Sequence, residues 1–177
     1  MKARPDEVIA HGPVTLYRSR PADLDTLLQV TAASADHLRP WLPWAGELDP
    51  ETEAAFLRQA EFEWDDGTAF HYKITAGGAL AGGISLMARI GVGGLEIGYW
   101  IRQDRTRRGL ATAATAALVA QAFRLPGVDR VEIVHDELNL ASGGIPRKLG
   151  FTEVGRRPID PPAPGGTGIG VVWRLVR

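Results

Sequence analysis

The sequence predicts a mixed α+β fold, in which a mostly antiparallel central sheet of about six or seven strands is flanked by helices. Seven strand-like segments occur in the order strand, helices, three strands, helix, strand, helix and two strands. The glycine pairs Gly77-Gly78 and Gly93-Gly94 separate the three consecutive strands by short turns, which is typical of an antiparallel meander. The length of 177 residues fits a single domain over residues 1–177 and suffices for a substantial core.

The first third of the chain predicts one strand and two main helices. Residues 14–18 form the strand, and Pro21 fits the first turn of a helix, where its missing N–H costs nothing. Asp49-Pro50 is a start signal for the second helix. Residues 37–44 are aromatic and interrupted by prolines, which predicts a short helix and a turn. The apolar faces of the two helices carry Leu24, Leu27, Leu28 and Thr31, and Phe56, Leu57, Ala60 and Trp64.

The rest of the chain predicts two more helices and the remaining strands. The helix over residues 109–123 is rich in alanine, whereas the helix over residues 139–149 is weak because it contains glycines and a proline. A loop rich in proline and glycine, residues 158–168, separates the last two strands. The predicted strands are residues 68–75, 80–90, 95–101, 130–135, 152–156 and 169–176.

The composition excludes several classes of protein. No apolar run approaches the roughly 20 residues that a membrane helix needs, and residues 1–7 lack the apolar core of a secretory signal. A formal net charge of −1 gives no electrostatic support to general nucleic-acid binding. The absence of cysteine excludes disulfides, thiol catalysis and cysteine-ligated zinc. We therefore expect a soluble, cytoplasmic protein without nucleic-acid or membrane partners.

The charges are distributed unevenly along the chain. Residues 36–66 contain nine acids and two arginines, whereas residues 101–177 contain twelve basic residues and seven acids. Two solvated faces would explain this pattern. Alternatively, the basic half receives an anionic ligand and the acidic half a cationic one.

An arginine-rich turn between a predicted strand and the alanine-rich helix is the most informative segment. It contains Glu96-Ile97-Gly98-Tyr99-Trp100-Ile101-Arg102, followed by Thr106-Arg107-Arg108-Gly109-Leu110-Ala111-Thr112. The first N–H groups of a helix have no internal partner and lie at the positive end of the helix dipole, so they can bind phosphate. Gly109 allows close approach of the backbone, and the arginines add donors for phosphate oxygens. The spacing fits neither a Walker P-loop nor a Rossmann fingerprint, which leaves a candidate pyrophosphate cradle or a cationic surface turn.

A second motif lies downstream. It consists of Asn139-Leu140-Ala141-Ser142 and, later, Lys148-Leu149-Gly150-Phe151. Together the two motifs resemble the GNAT superfamily of N-acetyltransferases, which carry a Gln/Arg-x-x-Gly-x-Gly/Ala loop for the coenzyme A pyrophosphate and a later asparagine helix that ends in Gly-Phe. The segment 38–44, the strand 96–100 and Ser142 are similar to the RimJ/RimL group. The resemblance spans roughly residues 14–176 in element order, and its specific motifs lie within residues 96–151.

The resemblance implies an acyltransferase that moves an acetyl group from acetyl-coenzyme A to a primary amine, by direct transfer in a ternary complex and without a metal. The implied coenzyme A contacts are Trp100, Ile101, Arg102, Arg107, Arg108, Gly109, Leu110, Ala111, Thr112, Asn139 and Ser142. The chain departs from the family where Thr106 replaces the first loop residue and Arg107 replaces a common glycine. Backbone contacts survive both changes, because they need N–H groups rather than side chains. Pro146 stands where many members have a tyrosine that protonates the thiolate, which excludes tyrosine acid catalysis from this position.

Glu96 is the candidate general base. Strand alternation places it on one face with Gly98 and Trp100, where a carboxylate could accept the proton of the amine directly or through water. Alternatively, Glu96 is an exposed or salt-bridged residue near the start of a strand. By resemblance to RimL, Ser142 is the candidate hydrogen-bond donor to the departing thiolate; alternatively it caps a helix. Asn139 bonds the pantetheine arm or caps the same helix.

The acceptor remains open at this stage. The RimL-like features favour the α-amine of a protein or peptide, and a small amine such as an antibiotic is the alternative. A larger acyl donor such as succinyl-coenzyme A would need an arginine near the sulfur. A non-catalytic coenzyme A-binding sensor is the alternative from another class of function. Aromatic content and the resemblance suggest a homodimer, and the four histidines show no metal-ligand spacing.

Overall fold

The computed structural model describes residues 3–177, which form one eight-stranded sheet flanked by helices. The strands are β1 Val8–His11, β2 Val14–Arg18, β3 Ala69–Ala76, β4 Ala79–Met87, β5 Gly94–Ile101, β6 Arg130–Asp136, β7 Thr152–Pro158 and β8 Ile169–Val176. Their order across the sheet is β1-β2-β3-β4-β5-β6-β8-β7. Only β5 and β6 pair in parallel, so the predicted, mostly antiparallel sheet is confirmed.

Residues 3–177 also contain five α-helices. They are α1 Leu24–Ala33, α2 Ala35–Leu38, α3 Pro50–Asp66, α4 Leu110–Arg124 and α5 Leu140–Lys148. The start of α3 is the predicted one, because the Asp49 side chain accepts a hydrogen bond from the Thr52 N–H at 2.8 Å. The same helix ends at Gly67, whose φ of 74° gives the left-handed turn that closes many helices.

The sheet has one strand more than the sequence indicated. The additional strand β1 has four residues and pairs along its full length with β2. Such a short strand carries too little alternation to be recognised alone, and its pairing with β2 defines it. The predicted strand over residues 80–90 also ends earlier, at Met87, and Arg89 and Ile90 lie in the loop that follows. This difference matters because the loop brings Arg89 to the candidate site.

Alternate residues of β5 point to opposite faces of the sheet. On one face, Ile97 and Ile101 pack with α4 in the main core. On the other face, Trp100 packs with α1 and α3 in a second cluster, formed by Leu27, Val30, Leu57 and Leu80. Candidate residues of β5 are therefore divided between the two faces. None of the helices in the described part of the chain is long and apolar enough to cross a membrane.

β5 and β6 run side by side and then separate. Their pairing covers Gly94 to Ile97 of β5 and stops there. Beyond Ile97, β5 pairs only with β4, and beyond Ile133, β6 pairs only with β8. We call the gap between the separated strand ends the parting. It leaves one edge of β5, residues 98–101, with backbone groups available to an extended ligand.

Candidate active site

The start of α4 presents backbone N–H groups close to the end of β5. The first hydrogen bond of the helix joins the Ala113 N–H to the Gly109 carbonyl at 3.0 Å, so the N–H groups of residues 110–112 have no acceptor within the helix. Before the helix, Arg107 and Gly109 have φ values of 60° and 73°. A turn of this kind can direct successive N–H groups to one side and form an anion-binding concavity. The geometry suits the predicted pyrophosphate cradle, and coenzyme A binding by these residues stays a prediction.

The arginines of this turn differ in what they bind. Arg102 donates to the carboxylate of Asp104 at 3.0 and 2.9 Å and to the Leu80 carbonyl at 3.0 Å. Within the described residues, Arg108 donates only to the Asp104 carbonyl, at 3.2 Å, and Arg107 is exposed. The guanidinium of Arg102 therefore organises the turn, whereas Arg107 and Arg108 keep donors for a phosphate.

A pair of hydroxyl groups lies across the parting. The Tyr99 hydroxyl of β5 donates to the Ser142 carbonyl of α5 at 2.9 Å and accepts from the Ser142 hydroxyl at 3.2 Å. Burial raises the pKa of Tyr99 to about 12, against a smaller lowering by the hydrogen bond with Ser142. The phenol therefore keeps its proton at physiological pH. Ser142 uses its hydroxyl toward Tyr99 and does not cap α5, in contrast to the alternative drawn from the sequence.

Two residues hold α5 close to the sheet. The Asn139 side chain caps the helix by accepting the Ser142 N–H at 3.2 Å. Gly143 lies directly on the buried ring of His135, because a Cβ atom at Gly143 would come within 2.6 Å of the ring Nε2. That nitrogen accepts the indole N–H of Trp173 at 2.9 Å. The glycine that weakens the helix in sequence terms is thus what allows it to approach β6.

Glu96 lies on the opposite face of β5 from Tyr99. Its side chain is only 5% exposed, and its two oxygens accept hydrogen bonds from Arg89 and from Arg157, the latter at 2.9 Å. Both arginines are half exposed and cover the carboxylate. Glu96 is thus both buried and salt-bridged. An amine can reach it only by sharing its oxygens with a guanidinium or by displacing one.

A groove with a volume of about 410 Å³ opens on the Glu96 face of the sheet, over β6, β8 and β7. We call it the arginine groove. Its polar lining is formed mainly by Arg89, Arg156, Arg157 and Arg174, with Glu132 and Val172 on its floor. Because Arg89 and Arg157 also bind Glu96, the groove begins beside the candidate base.

The loop over residues 158–168 joins β7 to β8 beside the end of β6. Its backbone is tied to Asp136 at the end of β6, whose carboxylate accepts the Gly168 N–H at 2.9 Å and the Leu138 N–H at 3.0 Å. Burial alone would raise the pKa of Asp136, but these backbone hydrogen bonds lower it below its usual value. The Gly165 N–H donates to the Pro40 carbonyl at 2.8 Å, which links the loop to the segment after α2.

The structure adds three residues that the sequence reasoning missed. They are Tyr99, Arg89 and Arg157. The parting brings Tyr99 to Ser142, 43 positions away, and the final hairpin brings Arg157 to Glu96, 61 positions away. Strand alternation places Tyr99 on the face of Ile97, but no local signal reveals its partner. Among residues 3–177, no group of histidines and acids is arranged to hold a metal.

Comparison with known proteins agrees with this geometry. The sequence profile of the acetyltransferase (GNAT) domain matches residues 14–152. YdaF of Bacillus subtilis, described as a candidate ribosomal N-acetyltransferase, is 30% identical over 148 residues, which cover 81% of this chain and 80% of YdaF. The chain belongs to the GNAT acetyltransferase family. It is accordingly an acyl-coenzyme A-dependent N-acetyltransferase, whose co-substrate is acetyl-coenzyme A.

Solved structures share the fold of this GNAT domain. The ribosomal L7/L12 α-N-protein acetyltransferase RimL, in complex with coenzyme A, superposes with a TM-score of 0.88 at 21% identity, over 96% of this chain and 98% of RimL. The microcin C7 self-immunity acetyltransferase MccE, in complex with acetyl-coenzyme A and AMP, gives a TM-score of 0.85 at 17% identity, over 93% of each chain. At these identities the likeness concerns the fold.

Proposed function

We propose that the protein acetylates the α-amine at the N-terminus of a protein or peptide. The observation that carries this proposal is the arginine groove, which is open, begins beside Glu96 and crosses three strands. A groove of this form suits the residues that follow an N-terminal amine better than a compact small molecule. The role ascribed to YdaF, ribosomal N-acetylation, supports the same class of acceptor.

The donor half of the site is proposed to lie at the parting and the start of α4. The backbone N–H groups of residues 107–112 and the arginines Arg107 and Arg108 would hold the pyrophosphate. Trp100, Ile101 and Arg102 would contribute mainly backbone at the unpaired edge of β5, which suits the amide groups of the pantetheine arm. Asn139 would act through the helix it caps, by fixing Ser142 at the parting.

The acceptor half is proposed to lie on the Glu96 face. An ammonium group must lose a proton before its nitrogen attacks the thioester carbonyl, and Glu96 would accept this proton directly or through water. Arg89 is the more exposed of its two partners, at 59% of the side chain, and is the one that an acceptor amine would displace more readily. Direct transfer within a ternary complex agrees with a chain that contains no cysteine for an acyl-enzyme.

The leaving thiolate is proposed to be stabilised by the hydroxyl pair on the other side of β5. Ser142 would turn its hydroxyl from Tyr99 to the sulfur, and the protonated Tyr99, which donates to the Ser142 carbonyl, would hold the serine in place. Tyr99 lies on β5 rather than on α5, where Pro146 replaces the tyrosine of many relatives. Holding the two reactants together at the parting would provide much of the acceleration.

The experiment compares two peptides of one sequence in the presence of acetyl-coenzyme A. One has a free α-amine, and the other has a blocked α-amine and one internal lysine. We expect mass spectrometry to find the acetyl group on the α-amine of the first peptide and no modification of the second. Acetylation of small amines alone would overturn the assignment of a peptide acceptor. A cytoplasmic location, a single-domain organisation and a homodimer stay predictions.

A further inference from the structure

Two glutamates lie side by side beneath the arginine groove. Glu96 of β5 and Glu132 of β6 are directly paired neighbours in the parallel register. Their side chains are 5% and 8% exposed. Two carboxylates so close together repel each other unless cations compensate them. Arg89 and Arg157 bind the first, and Arg174 binds the second at 2.6 Å.

These arginines are held from below and present their remaining donors to the groove. Arg174 directs both Nε and Nη2 to one oxygen of Glu132, at 2.8 and 2.6 Å, while its side chain stays 41% exposed. Arg157 uses only Nη2 on Glu96 and is 50% exposed. Within residues 3–177, Nη1 of Arg174 and both Nε and Nη1 of Arg157 have no acceptor. A guanidinium fixed in this way is prepared to bind a second carboxylate.

The charges of the groove favour an anion. Three arginines compensate two buried glutamates, which leaves one positive charge in excess. Arg156, at the far end, is paired with Glu137 and with Glu153, so one arginine faces two carboxylates and that end carries one negative charge in excess. The positive excess therefore lies between Glu96 and Arg174, next to the place where the proposed acceptor amine binds.

We propose that the arginine groove is a carboxylate-binding subsite that selects acceptors with acidic residues directly after the N-terminal amine. This inference rests on the proposed function. The Arg174 guanidinium binds Glu132, which neighbours Glu96 on the next strand, about 5 Å away at the usual strand spacing. An extended peptide covers this distance in about two residues. Arg157 would contact an acidic side chain at the second residue, and Arg174 one at the third or fourth.

The test compares three peptides that differ only at the second to fourth residues, which are all glutamate, all glutamine or all lysine. The expected kcat/KM follows the order glutamate, glutamine, lysine, with about tenfold between glutamate and glutamine. Arg174→Gln and the double variant Glu132→Gln/Arg174→Gln should each reduce this ratio to about threefold, the part that Arg157 alone supports. The double variant leaves no buried glutamate unpaired, so it separates lost recognition from lost folding. Arg124→Gln, on the distant α4 where Arg124 pairs with Asp6, is the matched control and should keep the wild-type ratio.

Two results would overturn the inference while leaving the proposed function intact. The first is equal kcat/KM for the glutamate and glutamine peptides. The second is a ratio that stays the same in Arg174→Gln and in the double variant. Turnover of none of the three peptides would overturn the proposed function and the inference together. A final arm exchanges acetyl-coenzyme A for succinyl-coenzyme A with the glutamine peptide. A preference for succinyl transfer that Arg174→Gln abolishes would assign the carboxylate to the donor and overturn the acceptor assignment.

Discussion

Tyr99 and Ser142 join β5 to α5 through two hydrogen bonds across the parting. Each hydroxyl is the partner of the other, so removal of either one changes the hydrogen bonding of both. The pKa of Tyr99, raised to about 12 by burial, keeps its proton in place over the whole working range of an enzyme. The phenol of Tyr99 is therefore a hydrogen-bond donor throughout this pH range.

Tyr99→Phe removes this donor without changing the shape of the ring. We expect kcat to fall about 10- to 100-fold, because the departing thiolate loses part of its stabilisation, while the KM for acetyl-coenzyme A changes little. Because the raised pKa leaves the phenol protonated, wild-type kcat should show no decline from Tyr99 ionisation up to about pH 10. Steady-state kinetics measure both quantities. Tyr17→Phe, at an exposed position of β2, is the control, and an equal effect there would contradict the role of Tyr99.

Asp136 acts as an anchor for the loop over residues 158–168. Its folded pKa is lowered below the ordinary value of 3.8, so its contribution to stability is present above about pH 4 and is lost as the pH falls through the folded pKa. Asp136→Asn should reduce the free energy of unfolding by about 1–3 kcal/mol near pH 7, because one backbone N–H loses its acceptor. Thermal unfolding at about pH 7 and about pH 2 tests this. A difference of equal size at both pH values would show that the charge is not involved.

At the scale of elements, α5 combines a low intrinsic helix propensity with close packing against β6. Gly143 and Gly144 lower its intrinsic stability, and Pro146 interrupts it. Gly143 is nevertheless needed, because the ring of His135 occupies the space that a Cβ atom at this position would require. Gly144 has no heavy atom within 4 Å of its would-be Cβ. Glycine is therefore required by packing at position 143, whereas at position 144 it only lowers the helix propensity.

Substitution of each glycine by alanine separates propensity from packing. Gly144→Ala should stabilise the protein by up to about 1 kcal/mol, because alanine is the better helix former and meets no neighbour. Gly143→Ala should destabilise it by about 1–3 kcal/mol, because the methyl group collides with His135 and pushes α5 away from β6. Chemical denaturation of both variants measures the two effects. Equal shifts in the same direction would contradict the packing of α5 on His135.

The turn before α4 contains a strained residue. Arg107 has a φ of 60°, in the left-handed region that glycine adopts freely and other residues do not. Glycine would adopt this backbone shape without strain, and the chain keeps it with an arginine instead. The side chain is exposed, so its value lies in its charge rather than in packing.

Arg107→Gly and Arg107→Ala both remove the guanidinium, but only glycine relieves the backbone. Arg107→Gly should exceed Arg107→Ala in unfolding free energy by about 1 kcal/mol. Both variants should weaken the binding of acetyl-coenzyme A to a similar extent, because both lose the guanidinium that would donate hydrogen bonds to a phosphate. Denaturation and calorimetric titration measure these two properties separately. Equal stability of the two variants would contradict the strained backbone at this position.

For the whole molecule, patterns that are local in sequence were predicted well. The meander, the start of α3 and the helix after Gly109 follow from glycine pairs, a capping aspartate and an alanine-rich run. What could not be predicted depends on strand order. The parting exists because β5 and β6 pair only as far as Ile97, and no residue pattern marks that point. The contact between Glu96 and Arg157 likewise arises only when β7 folds back along β8.

The division of β5 into two working faces is the property of the molecule that unites these observations. In the proposed mechanism, one face presents the hydroxyl pair to the sulfur of a thioester in the parting, and the other presents Glu96 to an amine. This mechanism requires that both faces serve one reaction centre. It also requires that loss of Glu96 affects transfer rather than binding of the donor.

The most direct test is single-turnover transfer by Glu96→Gln, with acetyl-coenzyme A and a peptide that the wild-type protein acetylates. We expect the rate of acetyl transfer to fall about 100-fold or more, while the calorimetric Kd for acetyl-coenzyme A is unchanged. Transfer at the wild-type rate would contradict the role of Glu96 as the base, since Glu96 would then serve only to hold Arg89 and Arg157.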